Sequence, residues 1–503
     1  MHRKLALPFC LLLMTLLACS STGLTGSTGA SPTSAPTSTP EPWADRSLFR
    51  DGLVQSDRPV LESLAGATFY EIDLTIAADL FHVSGSEIVH YTNRSADTLN
   101  EIQLRLYPNL LGGQLTISSI TADGRSLAHS TGLGNSVLHV QLSAPLQAGR
   151  AVTLQIGFSV VVPTAIQDNY GILAYTDGVL SLAHSYPMVS VYGPGSWNAE
   201  IPSPWGDVLF NETCFYLVHV DAPADLVLVA SGRAVRRESN GDRQQLIFAD
   251  GPGRDFYLAA SADFALLSRT VGEVTLNSYA PRGDEIQSQR ALDTAAAALQ
   301  DFSGRYAPYP YTEFDLVAIP TGALGIEYPG LVAILRDLYP PPPPGDSQSV
   351  QTIEFTVAHE TGHQWFYNLV GNNQLDDPWL DESLTQFATW QYFGDRYGPA
   401  AAETFKQQAL IGDWDSIQEA AIPIGKPVSA YSGNDYVGII YGRGALFFIA
   451  LDQQLGQKTY DQFLRDYVAK YSWGIATPQG LKQVAEKECG CDLTSLFDRW
   501  IYP

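Results

Sequence analysis

The sequence predicts two structural regions in one chain, an all-β sandwich or saddle over about residues 56–270 and an α+β, mostly helical region over 271–503. Alternating apolar and polar residues dominate the first stretch. Helix formers and long 3.6-period runs dominate the second, and the texture changes near residue 270. At 503 residues the chain exceeds the usual size of one domain, and its 45% hydrophobic content suits sizeable buried cores.

The first residues read as an address. His2, Arg3 and Lys4 precede an apolar stretch from Leu5 to Leu17, too short to span a bilayer as a helix but of signal-peptide size. Its end, Leu16-Leu17-Ala18-Cys19, resembles the lipobox of bacterial lipoproteins. That resemblance implies cleavage after residue 18, a lipid on Cys19 and a place on the extracytoplasmic side of the bacterial cell membrane. Residues 19–55, rich in Ser, Thr and Pro, are expected to form a flexible tether. The formal charge of −24 argues against nucleic acid or an anionic membrane surface as a partner. Three cysteines remain for the folded body: Cys214, Cys489 and Cys491. The last two are too close in sequence for an easy mutual bridge, so at most one bond, to Cys214, is expected.

Between residues 56 and 270, ATFYEIDLTIAADLFHVSGSEIVHYTN, IQLRLYP, VLHVQLS and AVTLQIGFSVVV alternate as strands do. Asp123-Gly124, Asp177-Gly178 and Asn240-Gly241 are turn dipeptides among such runs. After 270, VTLNSYA and FDLVAIP read as strands flanking the helix former IQSQRALDTAAAALQDFSGRY. Pro340–Pro344 must be a loop. Helical patterns follow: SVQTIEFTVAHETGHQWFYNLV, DESLTQFATWQYFGDRY, AAETFKQQALI and IYGRGALFFIALDQQLG.

The chemistry lies in the first of these. In His359-Glu360-Thr361-Gly362-His363, the two imidazoles stand four residues apart and so share a helix face, where both can reach one metal ion. Glu360 follows the first ligand, near enough to take a proton from an activated water. Trp365, Phe366 and Leu369 mark the segment as packed rather than solvated. A third ligand is needed, and Glu382 follows His363 after 18 residues, at the start of the next helical pattern. An antiparallel turn of helix would return its carboxylate to the histidines. Asp376, Asp377 and Asp381 suit solvated or capping roles, or an outer partner of a histidine.

HETGHQWFYNLVG…DPWLDESLTQF is similar to the zinc segment of the gluzincin aminopeptidase N family, which includes leukotriene hydrolase. Gly325-Ile326-Glu327-Tyr328-Pro329-Gly330 resembles its exopeptidase motif, and Tyr441-Gly442-Arg443-Gly444 its catalytic tyrosine segment. The resemblance spans about 270–503 and implies a thermolysin-like catalytic domain behind a saddle-shaped β domain. It implies one Zn²⁺ on His359, His363 and Glu382, with Glu360 as general base. It further implies that Tyr441 donates to the oxyanion, and that Glu327, with Gly325, binds the free N-terminus of a peptide substrate. The expected function is a zinc aminopeptidase acting on extracytoplasmic peptides. An endopeptidase of restricted specificity and a catalytically silent binding protein are the alternatives. Asn and Met of the exopeptidase motif are Tyr328 and Ile326 here, and Gly442 replaces a glutamate. The β region lacks the family's phenylalanine-proline-cysteine segment, so no residue there is assignable to N-terminus binding; His184–Met188 matches it poorly. Tyr436 stands as a second polar group in the cleft or as core packing.

Overall fold

Runs of alternating Val, Ile, Leu and aromatic residues place one face of each N-terminal strand in a core. The computed structural model describes residues 45–166, 169–343, 345–417 and 422–502. The export signal, Cys19 and the tether up to residue 44 lie outside them. An eight-stranded sheet has at its centre β1 (Phe69–Ile76), β2 (His82–Thr92), β3 (Ala151–Val161), β4 (Cys214–Pro223) and β5 (Arg243–Gly253). The order is β5-β4-β1-β2-β3 across the middle, with β1 and β4 parallel and the other neighbouring pairs among these five antiparallel. Along β1, Ile72, Leu74 and Ile76 are buried while Asp73 and Thr75 face out. Two four-stranded sheets, one holding Val179–Ala183 and Tyr257–Ser261, the other Leu99–Arg105 and Val137–Leu146, close over this face. The turn dipeptides act as expected, with Asp123, Gly124, Asp177 and Gly178 all at positive φ.

The second region is built on a five-stranded sheet with β6 (Phe264–Val271), β7 (Val274–Pro281), β8 (Glu313–Ile319), β9 (Gly325–Tyr328) and β10 (Leu331–Leu335), in the order β6-β7-β8-β10-β9. Its strands β8 and β10 are buried on both faces. Phe314, Leu316, Ala318, Val332 and Ile334 point into the helical core, which includes α1 (Glu285–Arg305), α2 (Ser347–Gly362), α3 (Glu382–Tyr397) and α4 (Ala445–Leu455). Their neighbours Val317, Ile319, Leu331 and Ala333 join the β core. The two-residue period of a strand thus splices both cores together. Strand β9 ends the sheet, its outer edge unpaired among the described residues.

Three expectations need correction. Residues 45–55, read as tether, include a 3₁₀ turn at Ser47–Gly52, and Phe49 and Leu53 are buried in the helical core. The run 349–370, read as one helix, ends at Gly362 because the chain then turns sharply, with Tyr367 at φ +153°. Cys489 and Cys491 are bonded to each other and Cys214 is free and buried. Gly490, in the left-handed conformation, folds the backbone back until the two Cα atoms are 5.1 Å apart, within disulfide range.

Candidate metal centre and substrate cleft

Asp346 caps α2 by accepting from the backbone N–H groups of Gln348 and Ser349. His359 and Glu360 occupy the last turn, and His363 follows the end of the helix. Gly362 lies where a Cβ would come within 2.9 Å of Thr385 Cγ2, so α2 and α3 approach closely there. Asp381 caps α3 by accepting from Glu382 N at 2.7 Å, which sets Glu382 at the head of the helix facing the histidines.

The three expected ligands converge. His359 Nε2, His363 Nε2 and Glu382 Oε2 lie 3.2–3.3 Å from one another, all three residues being buried. A tetrahedral ion with bonds of about 2.0–2.1 Å needs ligand atoms about 3.3–3.4 Å apart, which this triangle matches. Two imidazole nitrogens facing each other at 3.2 Å beside a carboxylate are the donor set of a zinc site. His363 Nδ1 donates to Phe366 O at 3.0 Å, which fixes the tautomer and leaves Nε2 free for the metal.

Glu327, Glu360 and His363 form a second cluster, with ligand-type atoms within 4.8 Å of one another. Burial pushes the Glu360 carboxyl well above its ordinary range; His363 opposes this, while Glu327 and Glu382 add to it. A raised pKa suits a general base. Gly325, on the outer edge of β9, makes room for Glu360: a Cβ there would sit 2.5 Å from Glu360 Cγ and 2.6 Å from Cδ. Glu327 accepts from Gln374 Nε2 at 3.2 Å, and burial likewise raises its pKa.

Tyr441 donates to Glu382 Oε1 and lies in a π-helical stretch, Val437–Gly444, that runs into α4. Glycines allow that stretch to pack. A Cβ at Gly442 would be 2.8 Å from both Leu410 O and Trp414 N, which accounts for the missing glutamate beside Tyr441. At Gly444 it would be 2.7 Å from Ser383 Cβ.

Gly325, Glu327, His359, Glu360, His363, Glu382 and Tyr441 thus all line one cavity of 1270 Å³. Tyr436 lines it too, with a buried hydroxyl that has no partner among the described residues and its ring 5.8 Å from that of Tyr441. Two residues were missed. Asp207 comes from the β region on the turn Pro204-Trp205-Gly206-Asp207, docked where Gly206 N meets Tyr170 Oη at 2.9 Å. Burial pushes its carboxyl well up, as do Glu327, Glu382 and Asp381. Arg254, fully buried, donates to the carbonyls of Tyr367, Asn368, Leu369 and Gly474, with Asn211 O at 3.4 Å. It clamps the turn that carries the Phe366 carbonyl and the strained Tyr367. No motif signals either residue, because their partners lie far away in sequence.

Residues 290–500 match the peptidase family M1 domain. That span holds the three candidate metal ligands, Glu360 and Tyr441. Aminopeptidase 2 of Candida albicans is 23% identical over 477 residues, covering 89% of this chain; the chain spans about half of that relative, 48% of its length. Among solved structures, the M1 zinc metallopeptidase of Deinococcus radiodurans aligns with a TM-score of 0.65 at 18% identity, over 86% of this chain and 93% of that one. A mutant of it bound to a Tyr-Ser-Ala substrate aligns with a TM-score of 0.63 and the same identity and coverage. These likenesses agree with the fold described above, a mostly-β region followed by a helical one.

Proposed function

We propose that the protein is a zinc aminopeptidase that removes the first residue of peptides with a free N-terminus. One observation carries the reading. The cavity is lined by seven carboxylates, of Asp207, Asp255, Glu327, Glu354, Glu360, Glu382 and Asp413, and among the described residues by no Lys or Arg. Buried carboxylates need cationic partners. The metal answers for Glu382, and a substrate α-ammonium answers for Glu327 with Asp207 beside it.

His359, His363 and Glu382 would hold the zinc, which supplies Lewis-acid polarisation of the scissile carbonyl and acidifies water. Glu360 takes the proton of the attacking water and hands it to the leaving amine. The Tyr441 hydroxyl turns from Glu382 to donate to the carbonyl oxygen as charge develops there. Glu327 and Asp207 hold the ammonium, so the first peptide bond meets Glu360. The outer edge of β9 runs past this point and presents Gly325 to the substrate backbone. The Deinococcus relative solved with Tyr-Ser-Ala supports a peptide as the ligand class.

The test is hydrolysis of aminoacyl-amides and of matched peptides with free and acetylated N-termini. Turnover should need zinc, fall roughly 10²–10⁴-fold in Glu360→Gln and vanish for the acetylated set. Equal cleavage of both sets would make the enzyme an endopeptidase. Zinc binding without any turnover would make it a silent binding protein. For location, the proposal is export and lipid anchoring through Cys19. It predicts incorporation of a labelled fatty acid into the wild type but not into Cys19→Ser.

A further inference from the structure

The C-terminal corner of the chain carries a disulfide that does little for the fold. Helix α5 (Pro478–Cys489) ends at Cys489, Gly490 turns the chain, and α6 (Thr494–Trp500) begins shortly after Cys491. Other contacts already hold this corner. Leu493 N donates to Glu486 Oε1 at 3.0 Å, while Lys482 Nζ donates to Thr494 Oγ1 at 2.8 Å and pairs with Glu486 at 3.3 Å. Leu481, Val484, Leu493 and Phe497 are buried in the helical core. A crosslink restrains the unfolded chain more, the longer the loop it closes. This one closes across a single residue, so it adds little on that account.

The two sulfurs differ in access. Cys491 is exposed, between the exposed Gly490 and Asp492, whereas Cys489 is half-buried against the helical core. The backbone N–H of Cys491 donates to Cys489 Sγ at 3.2 Å. A thiolate attacking Cys491 Sγ would therefore expel a sulfur whose developing charge already has a donor. Cys214 stands apart from this exchange: it is buried in the β core, and burial pushes its thiol up to about 12. Acids outnumber lysines around the bond. Glu486, Glu488, Asp492 and Asp466 are set against Lys482 and Lys487, the latter pairing with Glu488 at 2.8 Å and Asp466 at 3.3 Å.

We infer that Cys489–Cys491 is a thiol–disulfide exchange site that oxidises neutral or cationic thiols, a second chemistry independent of the metal centre. The first thiolate bonds to Cys491 Sγ, the bond between the cysteines breaks, and the electron pair leaves on Cys489 Sγ, which takes up a proton. A second thiolate then attacks the sulfur held on Cys491 and releases Cys491, which is protonated in turn. Two thiols become one disulfide, and the two cysteines receive the two electrons and two protons.

The experiment treats the intact, folded chain with about 10 mM cysteamine, a cationic thiol, or 3-mercaptopropionate, an anionic one. Acid quenching, alkylation and peptide mass spectrometry follow. The Cys489–Cys491 bond should open in the native chain, with Cys214 unlabelled and about one new disulfide formed per chain. Added salt should slow cysteamine and speed 3-mercaptopropionate, each by about twofold or more. Cystamine should load Cys491 in Cys489→Ser at least about tenfold faster than it loads Cys489 in Cys491→Ser. Both variants should keep their melting temperature within about 3 °C of wild type. A bond that opens only when the chain unfolds would overturn the inference. The same salt response for both thiols would overturn the selection by charge, and equal loading of the two variants would overturn the attack on Cys491.

Discussion

Gly325→Ala isolates the placement of Glu360, the proposed general base, from metal binding. The added methyl would sit 2.5 Å from Glu360 Cγ and 2.6 Å from Cδ, against the roughly 3.5 Å at which carbon atoms rest comfortably. Because both inner carbons are struck, and not only the carboxylate tip, the side chain must shift by about 1 Å as a unit. A displacement of that size in a reacting group costs about 10²-fold in rate. Glu360 is outside the His359, His363 and Glu382 triangle, so zinc content should stay at one per chain. The assay is kcat on an aminoacyl-amide together with bound zinc and the melting temperature. Gly322→Ala serves as the control: its Cβ would find ordinary contact at 3.5 Å from Tyr170 Cα, and it should stay within about threefold of wild type. Turnover within threefold in folded, zinc-loaded Gly325→Ala would refute the placement of Glu360.

Other expectations follow from the packing. Gly442→Glu, which restores the residue of related enzymes, should lose about 1–3 kcal/mol of stability in denaturant titration because the backbone at Leu410 and Trp414 already fills the space. Arg254→Lys should lower stability by about 3 kcal/mol and also weaken zinc binding in a chelator competition, since one ammonium cannot span the carbonyls that hold the turn after His363. Glu87 is buried, both its oxygens lack hydrogen-bond partners among the described residues, and burial holds its pKa well above the ordinary 4.5. The folded chain therefore keeps a proton that the unfolded chain releases, and stability falls as pH rises above about 4.5. Glu87→Gln removes that dependence, so its melting-temperature advantage over wild type should grow from pH 4.5 to pH 8. A constant difference would refute the buried-acid account.

Much of this site is legible in the sequence because it is written in short periods. Two histidines four apart on a helix, and a glutamate at the head of the next one, need only local geometry and a single antiparallel return. The strands of the β region are equally local, as are the helices over 285–305 and 382–397. Illegible features depend on contacts made across the chain. Arg254 acts on carbonyls more than 110 residues away, and Asp207 reaches the cleft because Gly206 fits against Tyr170 and Tyr436. α2 ends at Gly362 because the chain turns sharply beyond it, although the apolar pattern runs on to residue 370. The π-helical turn around Tyr441 adds a residue per turn that a 3.6-residue period does not register. The Cys489–Cys491 bond depended on one backbone angle at Gly490.

The two-faced sheet of the second region has a consequence for what can be cut from this chain. Removing the first 270 residues would strip one side of β8 and β10, leaving Val317, Ile319, Leu331 and Ala333 in water, and would take Arg254 away from the turn beyond His363. The part that carries every metal ligand is therefore not a module that can be lifted out or fused elsewhere by itself. In any shuffling of such chains, by gene engineering or by descent, the β region and the metal centre should travel as one heritable piece.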